Sequence, residues 1–370
     1  MHSVPFFDYQ ALFRQHGNAM MAIIADCAER GALIMQQELL DFETKLAKFI
    51  GVDHAIGVGN CTDGLYLALS QSGIGAGDEV IFPAHTFVAT AGAIKQANAI
   101  PVPVECGTDH LIDPNAIEQA ITRNTRALLP VQLNGRVAQM DHILAIAKQH
   151  DLLVIEDAAQ ALGATFQGKK AGSFGLASAF SFYPAKLVGG LGDGGAVVTN
   201  DAVLANKIRA ARDHGRDPEQ GTIQFWGMNS RLDTIQAAVL SYLLDHFDEV
   251  IIKRRHLANL YNEQLHDLDD LTLPPAPSDQ GANWDVFQNY EIETSHRDQL
   301  KAYLNQQGIG TALPWGGQAV HQWANLGFSC ALPVTERILS RSLMLPLNMA
   351  IKDADVRSVC QTIRGFYEQV

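Results

Sequence analysis

Phe180-Ser181-Phe182-Tyr183-Pro184-Ala185-Lys186 is a mostly apolar run that ends in a lysine, and Gly189 to Gly195 follow it as a glycine-rich turn. Upstream, Ile155-Glu156-Asp157-Ala158-Ala159-Gln160 opens apolar and carries a lone Asp157 where the run ends. Lysine normally stays in water with a side-chain pKa of ~10.4, so one introduced by Phe-Ser-Phe-Tyr-Pro-Ala is expected to be partly desolvated and available as a neutral amine. Such an amine can form a Schiff base. An ordinary exposed turn lysine is the competing reading. With an acid to hold a pyridinium nitrogen and hydroxyls to hold a phosphate, the set reads as a pyridoxal 5'-phosphate (PLP) site.

Outward from these two runs, short apolar stretches alternate with helical patterns. Strands are expected at 53–59, 79–82, 100–104, 127–131, 152–156, 177–182 and 196–199, with helices at 62–71, 89–97, 115–121 and 140–150 between several of them. Nearly all-apolar strands separated by helices indicate a mainly parallel sheet covered on both faces. One long helix is expected from Leu232 to about Leu268. Beyond Pro274-Pro275-Ala276-Pro277 the pattern restarts as a strand (286–292), a helix (297–307) and a final helix (353–370). The fold class is therefore α/β, divided into a large domain over 1–250, which includes the N-terminal segment, and a small C-terminal α/β domain over 251–370.

Asp157 closes an inner strand, where open α/β sheets bind ligands, and a carboxylate there can keep a pyridine nitrogen protonated. It could equally cap a helix beginning at Ala158. Gln160 could hydrogen-bond a phenolic oxygen or be a polar helix residue. Asn60-Cys61-Thr62-Asp63-Gly64 joins a strand to a helix, and a helix N-terminus with a hydroxyl suits a phosphate; capping by Thr62 or Asp63 is the alternative. Phe87 follows the next strand and is a candidate ring partner, or a core phenylalanine.

The chain has 27 Lys and Arg against 40 Asp and Glu, a net charge of −13, which argues against a nucleic-acid or membrane-surface binder. Apolar residues make up 47% and no run reaches the ~18 of a membrane span, so a folded, cytoplasmic protein is expected. The five cysteines are scattered and the thirteen histidines lack a metal-ligand spacing, so neither a disulfide framework nor a metal site is expected. Gly190 to Gly195 match Gly-x-Gly-x-x-Gly, but Ala-Val-Val-Thr follows them as a strand. A dinucleotide fingerprint would open a helix there.

Phosphate turn, aromatic, acid and lysine come in one chain order, and with them the sequence resembles the DegT/StrS-type family of sugar-nucleotide aminotransferases. The blocks that carry the resemblance are 4–6, 52–69, 155–163, 180–200 and 227–238, most specifically Phe180–Lys186 with Gly192-Asp193-Gly194-Gly195. The resemblance implies a fold-type I PLP aminotransferase in which Lys186 carries the internal aldimine, Asp157 faces the pyridine nitrogen and Gln160 the phenolic oxygen. Cys61, Thr62 and Ser181 would meet the phosphate and Phe87 would cover the ring. Asn229, by residue type a helix N-cap, would reach the neighbouring subunit's phosphate, which implies a homodimer with shared active sites.

Three positions depart from the family pattern: Cys61 where glycine is frequent, Leu187 where asparagine is frequent, and Gln36-Gln37-Glu38 where Gly-Pro-Glu is common. Tyr183 and His321 are the candidates for contacts with the sugar nucleotide. The implied reaction moves an amino group from L-glutamate to a nucleotide-linked keto-deoxy sugar, a dTDP-4-keto-6-deoxyhexose, through the pyridoxamine form of the cofactor. Related deoxygenating enzymes carry histidine in place of the lysine. A cyclitol (inosose) aminotransferase and a non-catalytic PLP-binding regulator are the alternatives.

Overall fold

The computed structural model describes residues 3–217 and 219–369. Short apolar strands, largely buried except for edge strand β3, build its central sheet: β1 (His54–Val58), β2 (Glu79–Pro83), β3 (Ile100–Val104), β4 (Thr125–Leu128) and β5 (Leu153–Asp157). After the two-residue strands β6 (Thr165–Phe166) and β7 (Lys169–Lys170) come β8 (Ala177–Ser181) and β9 (Gly195–Thr199), and the seven-stranded order is β1-β9-β8-β5-β4-β2-β3. β8, β5, β4, β2 and β3 run parallel, whereas β9 is antiparallel to both β8 and β1. The reason is the connection. No helix separates β8 from β9, and a parallel neighbour would need a crossover. The glycine turn is therefore the return loop of an antiparallel pair, and Lys186 rides on it.

Helices cover the sheet: α1 (Tyr9–Glu29), α2 (Gln37–Ile50), α3 (Cys61–Gln71), α4 (Val88–Gln96), α5 (Pro114–Ala120), α6 (Met140–Gln149) and α7 (Ala202–Ala211). α3 crosses β8 and β9. The single long helix expected over 232–268 is instead two, α8 (Thr234–Asp245) and α9 (Phe247–Leu265). They part at His246, whose ring Nδ1 pairs with the Tyr242 carbonyl at 2.9 Å while its own N–H turns to Leu243. The side chain has taken the acceptor that a continuing helix would give to the backbone.

The rest of the chain contains β10 (Asn283–Trp284), β11 (Tyr290–Glu293), α10 (Arg297–Gln306), α11 (Pro333–Arg341), β12 (Ser342–Leu345) and α12 (Asp353–Tyr367). The strand expected over 286–292 begins only at Tyr290, because Phe287 has a positive φ of 52° and turns the preceding residues toward the sheet edge. Among the described residues, buried apolar side chains form two clusters. The larger contains the seven-stranded sheet, and the smaller joins α9, α10 and α12 to β11, β12 and Val4. No described helix is long and apolar enough to cross a membrane.

One buried ion pair ties the sheet's β1 edge to its helices. The Arg212 guanidinium bonds the Glu43 carboxylate on α2 and the Gly57 carbonyl on β1, and Glu43 also accepts the Gly57 N–H at 2.8 Å. Both side chains are buried. Removing one partner strands the other charge in a dry interior, so Glu43→Ala is expected to cost about 3–5 kcal/mol in urea unfolding.

Candidate active site

β1, β2, β5 and β8 point the same way, so the residues that follow them gather on one edge of the sheet. On β5 the adjacent carboxylates Glu156 and Asp157 face opposite sides, as the strand's two-residue period requires. Glu156 is enclosed by the N–H groups of Gly172, Phe174 and Gly175 and by the Gln132 amide. That carboxylate is structural. Asp157 faces α3 and α4: Thr90 Oγ1 donates to it at 2.8 Å, the Ala159 N–H at 3.2 Å, and the Cys61 thiol lies at 4.0 Å. The capping alternative for Asp157 does not hold, since residues 158–163 form turns with no helix behind them. Burial pushes the Asp157 carboxyl up, partly offset by Thr90, Ala159 and the charge of Lys186.

At the start of α3 the cap is Asn60, not Thr62 or Asp63; its side chain accepts the Asp63 N–H at 2.8 Å. The N–H groups of Cys61 and Thr62 lie in the first turn, where a helix offers no internal acceptor. β9 approaches so closely that a Cβ on Gly195 would sit 2.5 Å from the Asn60 carbonyl carbon. This contact, rather than dinucleotide binding, accounts for the last glycine of the run. Ser181 ends β8, half-buried, its Oγ accepting the Tyr183 N–H at 3.3 Å. Phe87 is no core residue: it is 55% exposed at the head of α4, with its ring 5.8 Å from that of Trp315. Asn229 is exposed and caps nothing, since α8 begins at Thr234 under Asp233. Its neighbour Ser230 is buried and donates to Asp63 at 2.6 Å, which anchors this segment to the head of α3.

Lys186 is half-buried in the return loop, and its N–H bonds the Tyr183 carbonyl at 2.8 Å. Burial pushes its ammonium below the ordinary lysine range, against the opposing pull of Cys61 and Asp157. A cavity of about 420 Å³ is lined by Lys186, Tyr183, Tyr9, His16 and Arg254, among others. A second, of about 330 Å³, is lined by Phe87, Trp315 and Trp323. Neither is walled by Asp157, Thr62 or Ser181. His321 does not reach these cavities: it is buried, with Nε2 2.9 Å from Glu336 on α11. A PLP molecule fits these residues. Asp157 is a buried carboxylate with no cationic side chain bonded to it among the described residues, the head of α3 offers unpaired N–H groups, and Lys186 is an amine with a depressed pKa.

Residues 15–364 match the model of the DegT/DnrJ/EryC1/StrS aminotransferase family. The chain belongs to that family. The aminotransferase is 38% identical over 371 residues, 99% of this chain and 97% of the relative, to the dTDP-3-amino-3,4,6-trideoxy-alpha-D-glucose transaminase of Streptomyces venezuelae. It is 39% identical over 99% of both chains to the pleiotropic regulatory protein of Geobacillus stearothermophilus. The crystal structure of S. venezuelae DesV in complex with a ketimine intermediate superposes with a TM-score of 0.95 at 38% identity, covering 100% of each chain. The family's cofactor is PLP, and this aminotransferase is PLP-dependent.

Sequence reasoning missed the network behind the ring site. Gln160 Oε1 accepts the Asn134 N–H at 2.8 Å and the Asn289 amide at 3.3 Å, so its NH₂ is the part left to meet a ligand. The Asn134 side chain donates to Glu291 at 2.6 Å, and Glu291 faces His85 at 3.1 Å and His110 at 3.3 Å. Trp315 Nε1, which can only donate, lies 3.0 Å from His85 Nδ1. The His85 proton therefore sits on Nε2, toward Glu291, and occupies the lone pair that a metal held by His85, His110 and Glu291 would need. Isolated histidines and glutamates scattered over 200 residues gave no spacing signal.

His110 faces two carboxylates, Glu291 and, at 3.1 Å, Glu293. Although burial opposes the charge, these acids push its pKa up to about 10 from an ordinary 6.5. The pairing thus adds stability that is complete below pH 6.5 and is lost as the pH rises to about 10. Thermal unfolding followed from pH 6 to pH 10 is expected to show this decline, and His110→Gln to flatten it.

Proposed function

We propose that this aminotransferase transfers the amino group of L-glutamate to a nucleotide-linked keto-deoxy sugar, as a homodimer with shared active sites. The observation that carries the reading is a desolvated lysine, Lys186, on the same sheet edge as the buried, Thr90-bonded carboxylate of Asp157. Bound PLP supplies an electron sink for negative charge on the carbon that bears the amine. Asp157 holds the ring nitrogen protonated. Gln160 donates its NH₂ to the phenolic oxygen, while the Cys61 and Thr62 amides and the Thr62 and Ser181 hydroxyls take the phosphate. Lys186, whose charged form burial disfavours, would remove the proton from the donor's α-carbon and later deliver one to the sugar. Phe87 covers the ring, Tyr183 and His321 are proposed for the sugar nucleotide, and His321 would need to leave Glu336 to reach it.

The product named for the S. venezuelae relative supports amination at C3 of a dTDP-linked sugar, with a dTDP-4-keto-6-deoxyhexose as the second substrate reading. A regulatory role is named for the Geobacillus relative. The retained lysine and its depressed pKa favour catalysis here. The dimer is supported by Asn229 standing exposed beside α3 and by Trp226, three residues earlier, which is 100% exposed. We propose 1–250 as the cofactor-binding unit and 251–370 as the smaller one.

Borohydride reduction of the cofactor-loaded protein is expected to attach the cofactor to Lys186; attachment at another lysine would sink the assignment. Lys186→Ala should lose roughly 10²–10⁴-fold in amine transfer through the missing proton shuttle alone. Asp157→Asn, which keeps an acceptor for Thr90, should lower kcat by about 10²–10³-fold with the fold intact, measured as 2-oxoglutarate released from glutamate.

A further inference from the structure

The return loop between β8 and β9 carries four glycines, at 189, 190, 192 and 194, and a fifth, Gly195, opens β9; glycine resists ordering more than any other residue. A lysine on such a loop needs an outside support to keep one direction. Gln288, buried at 6% exposure, provides one from just before β11. Its Oε1 accepts the Leu187 N–H at 3.0 Å, and its Nε2 donates to the Ala185 carbonyl at 2.9 Å. A primary amide presents an acceptor and a donor in one plane, as a peptide group does, so this single side chain pairs with the backbone on both sides of Lys186.

Gln288 is itself held. Arg254, on α9, donates from Nη1 to the carbonyls of Phe287 and Gln288, each at 3.0 Å, and Phe287 takes the positive φ that aims its successor at the loop. Among the described residues Arg254 has no carboxylate partner, and burial lowers its pKa to about 10. Its Nη1 bonds both go to this backbone, while its buried Nε has no partner among the described residues. The next residue, Asn289, reaches Gln160 on the other side of the ring site.

We propose that Gln288 is a positioning residue for Lys186, clamping Ala185 and Leu187 so that the amine is held toward the sheet edge. The clamp comes from beyond α9, so the lysine's direction is set by a part of the chain remote from its own loop. The proposal rests on Lys186 as the reactive amine.

The test compares the full-length protein with Gln288→Ala and Gln288→Glu. Glutamate has the same size and can still accept from Leu187, but it places a carboxylate oxygen against the Ala185 carbonyl. Hydrogen–deuterium exchange of the 182–191 segment needs no chemistry at the lysine, and it is expected to rise about tenfold in both variants, the loss of roughly one net hydrogen bond. In the same variants kcat for 2-oxoglutarate formation from glutamate, with a keto-sugar acceptor present, should fall about tenfold with KM unchanged, and borohydride should still label Lys186 but more slowly.

Unchanged exchange in both variants overturns the clamp. Faster exchange with an unchanged kcat overturns the positioning role. Absence of Lys186 labelling in the unaltered protein would count against the lysine assignment instead, leaving the exchange comparison to decide the clamp. If Gln288→Ala does not fold, the size-matched Gln288→Glu carries the comparison.

Discussion

Withdrawing a lysine from water disfavours its charged form, and the structure does so at a place where a neutral amine is useful. Everything around Lys186 follows from that constraint. The loop that carries it must be short enough to return β9 beside β8, which makes β9 antiparallel to both its neighbours in the sheet. It must also lie against the end of β5, where Asp157 is buried and bonded by Thr90. The glycine at position 195 permits the close approach of β9 to the head of α3, so the amine, the acid and the helix N-terminus share one edge.

The same edge shows how neighbouring carboxylates acquire different tasks. Glu156 and Asp157 differ by one residue, and a strand sends them to opposite faces. Three backbone N–H groups and an amide use up the acceptor capacity of Glu156. Asp157 keeps a hydroxyl chain, Thr86 to Thr90 at 2.7 Å and Thr90 to Asp157 at 2.8 Å, which orients its carboxylate without neutralising it. A pyridinium placed against such a group would find a charge that is fixed and only partly solvated.

The second apolar cluster takes part in the site through a short irregular segment. Residues 286–289 approach the sheet edge before β11 begins, and through Gln288 and Asn289 they touch the lysine loop and Gln160. Glu291, on β11, continues the connection through Asn134, His85 and His110 toward Trp315. Polar contacts thus link the ring site to the aromatic cavity. Each member of this network has its hydrogen-bonding capacity directed, which is what keeps a buried polar network from being a liability.

Much of this was legible in the chain itself. Apolar runs bounded by helical patterns are local properties, so the covered parallel sheet and most of its strands could be read from periodicity. The order of Thr62, Phe87, Asp157 and Lys186 pointed to the cofactor because each stands at a strand or helix end. Where local rules competed, they left the choice open: Asp157, Asn229 and Thr62 all look like helix caps, and only the observed caps at Asn60 and Asp233, with no helix following Asp157, show that none of the three is one. The split at His246 was hidden for a related reason, since a side chain taking a backbone acceptor leaves no periodic trace.

By itself the sequence determined the fold class and the cofactor and marked Lys186 as the candidate amine, because those depend on residue type at element ends. Only the tertiary structure decided which groups hold that lysine and its acid, because Gln288, Thr90, Glu291 and Trp315 act through contacts across long stretches of chain, and no local pattern encodes a distance in space.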